Sequence, residues 1–205
     1  MHKRSITTSS VLVAALVLTL VGTNSSAYAL ADLRSHYGPS FGGAPTNDAA
    51  QGSTPITYQN GLTINGKTYD ISKNVQKIPT DTLYIGAPAK VTAKLWEDGG
   101  AYKIQGLAMF LNLYGANPSS SKSNTWVQYS KTDGLTVHDP NNMLGPVSAI
   151  VKHDKTFWYV TFQFTPSKQM NTSWMILTAW DKQLSTSTTK VSNAVDFAYV
   201  PYQYS

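Results

Sequence analysis

The chain has 205 residues and no cysteine, and its 16 basic residues against 11 acidic ones give a net charge of +5. Without thiols there is no disulfide scaffold, no blue-copper site of the His-Cys type, no iron–sulfur cluster and no thiolate zinc site, and no cofactor is expected. Only 13% of residues are charged, the lysines are scattered singly and Arg34 is the one arginine beyond Arg4, so no basic stripe could track phosphates and nucleic acid is not expected as a partner.

His2, Lys3 and Arg4 precede the apolar run Val11 to Val21, and Ala27-Tyr28-Ala29 supplies a small-x-small pattern. That order is a secretory signal peptide over 1–29, cleaved after Ala29 or Ala31. A hydrocarbon core takes about 20 apolar residues to cross, so the run is too short to serve as an anchor, and no membrane span is expected after its removal. Without Lys3 and Arg4 the balance is 14 basic against 11 acidic residues, or +3. From Leu30 to Pro55 the chain is rich in Gly, Pro, Ala and Ser without periodicity, which predicts a flexible stalk. A donor strand would need alternating apolar residues, which 30–55 lacks. Gly38-Pro39-Ser40-Phe41-Gly42 matches the nucleophile-elbow string, but no apolar strand leads into it and no helix follows, so it carries no catalytic expectation.

Ile56 to Ile71 contains Asn60-Gly61 and Asn65-Gly66, pairs that tolerate positive φ, and predicts a hairpin of Leu62-Thr63-Ile64 with Lys67 to Ile71. Lys73 to Asp81 reads as a connector into a domain over 82–205. There, runs rich in β-branched and aromatic residues predict strands near Ala89–Trp96, Ala101–Leu113, Thr125–Ser130, Leu135–His138, Val147–His153, Thr156–Phe164, Ser173–Trp180 and Val191–Val200. Alternation assigns Trp158, Val160, Phe162 and Phe164 to the core, with Phe157, Tyr159, Thr161 and Gln163 on the other face; Leu107, Met109, Leu111 and Leu113 also point inward. The strand with Trp174, Ile176, Thr178 and Trp180 on one side and Met175, Leu177 and Ala179 on the other is expected to be buried on both faces. Short strands without helices between them predict an all-β fold, an antiparallel two-sheet β-sandwich, immunoglobulin-like or cupredoxin-like, preceded by a β-hairpin and a flexible N-terminal stalk.

No catalytic set emerges. The single glutamate, Glu97, stands beside Asp98 ahead of Gly99-Gly100 and reads as a polar hairpin tip, while glycoside hydrolysis needs two acids held across a sugar. His138-Asp139 and His153-Asp154 end two strands, and imidazole with carboxylate suits zinc or copper(II), which makes His138 and His153 candidate ligands. Met109, Met143, Met170 and Met175 read as gap-fillers of the core, and Asp139-Pro140-Asn141-Asn142 reads as a turn. Five tryptophans and many tyrosines in a weakly charged chain could stack on sugar faces, and Phe157 and Tyr159 are the outward pair for that task. Asn171-Thr172-Ser173 is the one glycan acceptor triplet beyond the leader.

Ile104-Gln105 leading into Phe110-Leu111-Asn112-Leu113, Asp139-Pro140-Asn141, the Phe164 to Ser173 segment with Met170, and Trp180-Asp181 together resemble a domain of uncharacterised exported proteins of ammonia-oxidising archaea. The resemblance spans about Ala87 to Val200. It implies a cell-envelope location and a sandwich fold, with no activity to transfer. Members of that group often carry a histidine after the Ile-Gln pair, where this chain has Gly106. Three expectations follow. The first is a non-enzymatic extracellular or cell-surface protein that contacts other cell-envelope proteins or itself; the second is a glycan binder, and the third an extracytoplasmic copper or zinc binder.

Overall fold

The computed structural model describes residues 56–58, 60–183 and 185–201. The expected leader at 1–29, the stalk at 30–55 with its Gly38–Gly42 string, and His2 and His36 lie outside them. Among the described residues there is no α-helix, and no helix is long and apolar enough to cross a membrane.

Twelve strands follow in chain order: β1 (Leu62–Ile64), β2 (Lys67–Tyr69), β3 (Val75–Lys77), β4 (Asp81–Tyr84), β5 (Ala89–Trp96), β6 (Ile104–Leu113), β7 (Thr125–Ser130), β8 (Gly134–His138), β9 (Val147–His153), β10 (Phe157–Phe164), β11 (Met170–Asp181) and β12 (Thr186–Ala198). They form two sheets. One runs β2-β1-β5-β10-β9, and the other β3-β12-β11-β6-β7-β8 with β4 also on β12. The all-β two-sheet sandwich expected from the alternation is therefore the fold.

Two-residue periodicity does the packing. Trp158, Val160, Phe162 and Phe164 on β10 register with Leu95, Ala93, Val91 and Ala89 on β5, and all eight are buried between the sheets. Leu107, Met109, Leu111 and Leu113 meet them from β6, and the four methionines assigned to the core are buried there. β11 is largely buried on both sides, as its composition predicts, because the outer face of its sheet has an apolar cover of its own. On that face Phe110 leans on Trp126, with ring centroids 6.4 Å apart, and Trp126 stacks on His138 at 5.2 Å. Trp180 lies across Gly106, where any Cβ would run into the indole. Gly106 thus leaves the space that Trp180 occupies.

The Asn65-Gly66 pair closes the predicted hairpin, with φ of 45° and 89° and Ile64 opposite Lys67. These left-handed angles give the two-residue turn whose twist matches the strands. Asn60-Gly61 does different work. Gly61 approaches the Tyr58 and Lys94 carbonyls too closely for a side chain, and its own carbonyl accepts from Lys94 N–H at 2.7 Å. The hairpin consequently pairs with β5 as part of the sandwich.

The segment expected as a connector, Lys73 to Asp81, contains β3 and the start of β4, both parallel to β12. β12 is thirteen residues long with a left-handed residue, Asn193, at φ 55°, and its outer edge takes the two short strands one after the other. These are the only parallel pairings among the described strands. The sheets are then tied along this side. Asp81, buried on β4, accepts from Lys67 Nζ at 2.7 Å and from Tyr69 Oη at 2.7 Å, both on β2.

Candidate functional site

The opposite side of the sandwich is open. β8 ends one sheet and β9 the other, and among the described residues neither has a strand on its free side. The segment between them is a folded turn. Asp139 carbonyl accepts from Asn142 N–H at 2.9 Å, Asp139 Oδ2 accepts from Leu144 N–H at 2.7 Å, and the Asn141 carbonyl is taken by Lys168 Nζ at 2.6 Å. The Asp139 and Asn141 carbonyls and Asp139 Oδ2 are thereby engaged in the turn expected there, while Asp139 Oδ1 is buried with no hydrogen-bond partner among the described residues.

Natural sheets blunt their edges with short strands, bulges, proline or several lysines, because an unpaired row of N–H and C=O groups recruits other chains. β2 and β3, at the closed side, have three residues each. β9 has seven, pairs with β10 in unbroken register, contains no proline and carries one lysine, Lys152. Its Val147, Ala149 and Val151 pack against the core, while Ile150 is 42% exposed on the outer face beside Thr161. Val137, near the end of β8, is 41% exposed. β9 is the longest unpaired strand edge among the described residues.

The two proposed metal ligands are not brought together. His138 closes β8 with its ring stacked on Trp126, at the end of the sandwich where β9 begins. His153 closes β9 at the other end, and seven strand residues span about 20 Å. Shared coordination needs both nitrogens about 2.0 to 2.1 Å from one ion. No group of three or more His, Asp or Glu side chains able to hold a metal exists among the described residues. The expectation of a site joining His138 and His153 is corrected accordingly: strand ends that look alike in sequence fall at opposite poles when the strands run antiparallel.

Phe157 and Tyr159 do project from the outer face of β10, across from Trp96 and Lys94. Their rings are tilted 57° to each other, with centroids 6.3 Å apart, and the Lys94 ammonium sits 3.9 Å over the Phe157 ring. One aromatic face is covered by a cation and the pair is not coplanar, so the two do not make a flat platform for a sugar. Tyr159 is further engaged by Asp154, which helps hold its phenol above the ordinary value after the effect of burial. Next to it, Thr92 and Thr161 share a 2.8 Å hydroxyl hydrogen bond, as Thr63 and Thr68 do at 3.0 Å across the hairpin.

The charged end of the core was not anticipated. Glu97, expected at an exposed hairpin tip, is 2% exposed, because it continues the inward series Ala89, Val91, Ala93 and Leu95; only Asp98 and Gly99 form the exposed tip. Asp181 continues Met175, Leu177 and Ala179 in the same way from the other sheet and is fully buried. One Asp181 oxygen accepts from Gln183 and Ser185 N–H groups, both at 2.8 Å, while its other oxygen and Glu97 Oε2 have no hydrogen-bond partner among the described residues. Burial, reinforced by the Asp181 charge, pushes the Glu97 carboxyl up to about 7, against the pull of Lys103 and Lys131. Burial also lowers Lys131, helped by Lys182; its ammonium donates to the Tyr102 carbonyl at 3.1 Å. The signal for this charged end was in the sequence, as two apolar alternations whose next inward position is an acid.

No family model matches the sequence, and no curated protein matches it. Among solved structures, it is similar to a chain from a structure-based photo-crosslinking study of multimeric cell-adhesive interactions of VGSC β subunits, with 5% identity, 61% of this chain and 93% of that chain covered, and a TM-score of 0.35. Similarity at that level carries no argument about function, and the fold rests on the sheets described above.

Proposed function

We propose that this is a non-enzymatic, exported sandwich domain that works at the cell envelope by protein–protein contact through its open β8/β9 edge. The observation that carries the reading is the seven-residue β9 edge, unblunted and flanked by exposed Ile150 and Val137. Backbone donors and acceptors along such an edge give affinity to any added strand, and the side chains that alternate along it give selectivity. Export rests on the leader-like 1–29 segment. The absence of an acid–base or nucleophile constellation in the sequence supports a binding role over catalysis. The glycan reading is weaker, because Phe157 is capped by Lys94 and tilted from Tyr159.

The test compares the full chain with a Val137→Lys/Ile150→Lys variant for retention on envelope fractions of the producing cells and for self-association by sedimentation. Retention or association lost in a variant with unchanged thermal midpoint is expected. Equal behaviour of the two proteins would remove the edge from consideration.

A further inference from the structure

We infer that the partner of the β9 edge is β9 of a second copy of this chain, paired antiparallel about a two-fold axis through Ile150; this rests on the contact reading above and names its occupant. The argument begins with hydrogen-bond parity. Asp154 N–H donates to the Phe157 carbonyl at the turn between β9 and β10. Because hydrogen-bonded and non-bonded pairs alternate along an antiparallel ladder, Lys152, Ile150 and Ser148 are the residues bonded to β10. The N–H and C=O groups of Val147, Ala149, Val151 and His153 then point to the open side.

A second β9 centred on Ile150 places Val147 opposite His153 and Ala149 opposite Val151, so each outward-turned residue meets another outward-turned residue. All seven positions overlap. On the outer face Ile150 meets Ile150, removing the edge's exposed apolar side chain from water in both copies. The one lysine of the strand meets Ser148 of the partner copy, and the two Lys152 side chains lie about 13 Å apart along the strands, beyond the roughly 8 Å over which salt lets exposed charges interact. On the inner face the small Ala149 meets Val151 and extends the core layer. A shift by one residue sets each outward-turned residue opposite one already bonded to β10 and forfeits the ladder. A shift by two residues loses the Ile150 pair and shortens the overlap. The edge is thus self-complementary in backbone, charge and shape in a single centred register, as an isologous interface requires. Five-stranded sheets joined this way become one sheet of ten strands.

The chain's lack of cysteine makes the register directly readable. In the centred arrangement Ile150 and its counterpart are a non-hydrogen-bonded pair with Cα atoms about 4.5 Å apart, within disulfide range. Under mild oxidation of the full chain, Ile150→Cys is expected to yield covalent dimer, and Ser148→Cys, also exposed on the same strand, is not; the Ser148→Cys/Lys152→Cys pair restores it. Ile150→Lys sets like charges face to face and is expected to weaken self-association in sedimentation by at least about tenfold. Ala149→Pro removes an N–H that β10 does not use, so it abolishes the dimer while the monomer stays folded. Equal cross-linking from 148 and 150 overturns the proposed pairing. A monomer at millimolar concentration whose envelope retention still depends on Ile150 overturns the second copy and leaves the contact reading standing. A monomer whose retention ignores Ile150 overturns both.

Discussion

The two sides of the sandwich solve the same problem in opposite ways. Along the β2/β4 side, strands of three and four residues are stitched together by a buried carboxylate that accepts from Lys67 and Tyr69, so the sheets are joined and little backbone is left to recruit a neighbour. Along the β8/β9 side there is no such stitch among the described residues, and β9 runs seven residues with an exposed isoleucine at its centre. One side is specified for closure and the other is left available. Edge length is thus distributed unevenly on this molecule, whereas apolar exposure is not: Val75 on β3 is 56% exposed and Ile150 on β9 42%.

The sharpest way to break this comparison is Asp81→Ala. It removes two hydrogen bonds to a buried carboxylate, one of them charge-assisted by Lys67, and is expected to cost about 2–3 kcal/mol in chemical denaturation. Ile150→Ser at the open side should cost less than about 0.5 kcal/mol in the same assay, since surface changes away from special features do. If the two losses were equal, the sides would not differ in kind.

A smaller effect separates the stitch into its parts. Tyr69→Phe removes the phenol bond alone and should cost about 1 kcal/mol. The bond to Asp81 pushes the Tyr69 phenol up to about 12 from its ordinary 10.0, so the folded state holds that proton more tightly than the unfolded one. Its stabilisation is complete below pH 10 and is lost as the pH rises toward 12. The Tyr69-dependent difference in chemical denaturation between the wild type and Tyr69→Phe should therefore shrink over that range.

The charged end offers a control belonging to neither side. Glu97 has a folded-state pKa of about 7 against an ordinary 4.5, so its protonated form favours folding, and that contribution is complete below about pH 4.5 and lost as pH rises through 7. The groups facing it are Asp181, Lys103 and Lys131. Thermal midpoints of the wild type should fall between pH 5 and 8, and Glu97→Gln should flatten that slope. A slope unchanged in Glu97→Gln would show that another group sets it. The smallest expected effect is Val137→Thr, nearly silent in stability, whose reduction of association would extend the contact from β9 to β8.

Much of the fold was legible because strand alternation is a local property. Val147–His153, Ala89–Trp96 and Thr125–Ser130 stand in the structure where periodicity places them, and Asn65-Gly66 turns the hairpin because only such residues take both left-handed angles cheaply. The candidate site was less legible. Phe157 and Tyr159 face outward as expected, yet the cation over Phe157 comes from Lys94 on a neighbouring strand. Glu97 was mistaken for a tip residue because glycines follow it, while the inward parity of β5 was the stronger signal.

By itself the sequence determined which residues extend, which face they bury and where the chain turns, since each of these depends on neighbours one to four positions away. Only the tertiary structure decided which strands are edges, that Lys73 to Asp81 supplies one parallel strand and the start of another to a partner more than a hundred residues later, and that His138 and His153 lie at opposite poles. Those outcomes follow from pairing between distant segments, where backbone hydrogen bonds are the same for every sequence and selection rests on the packing of the whole core.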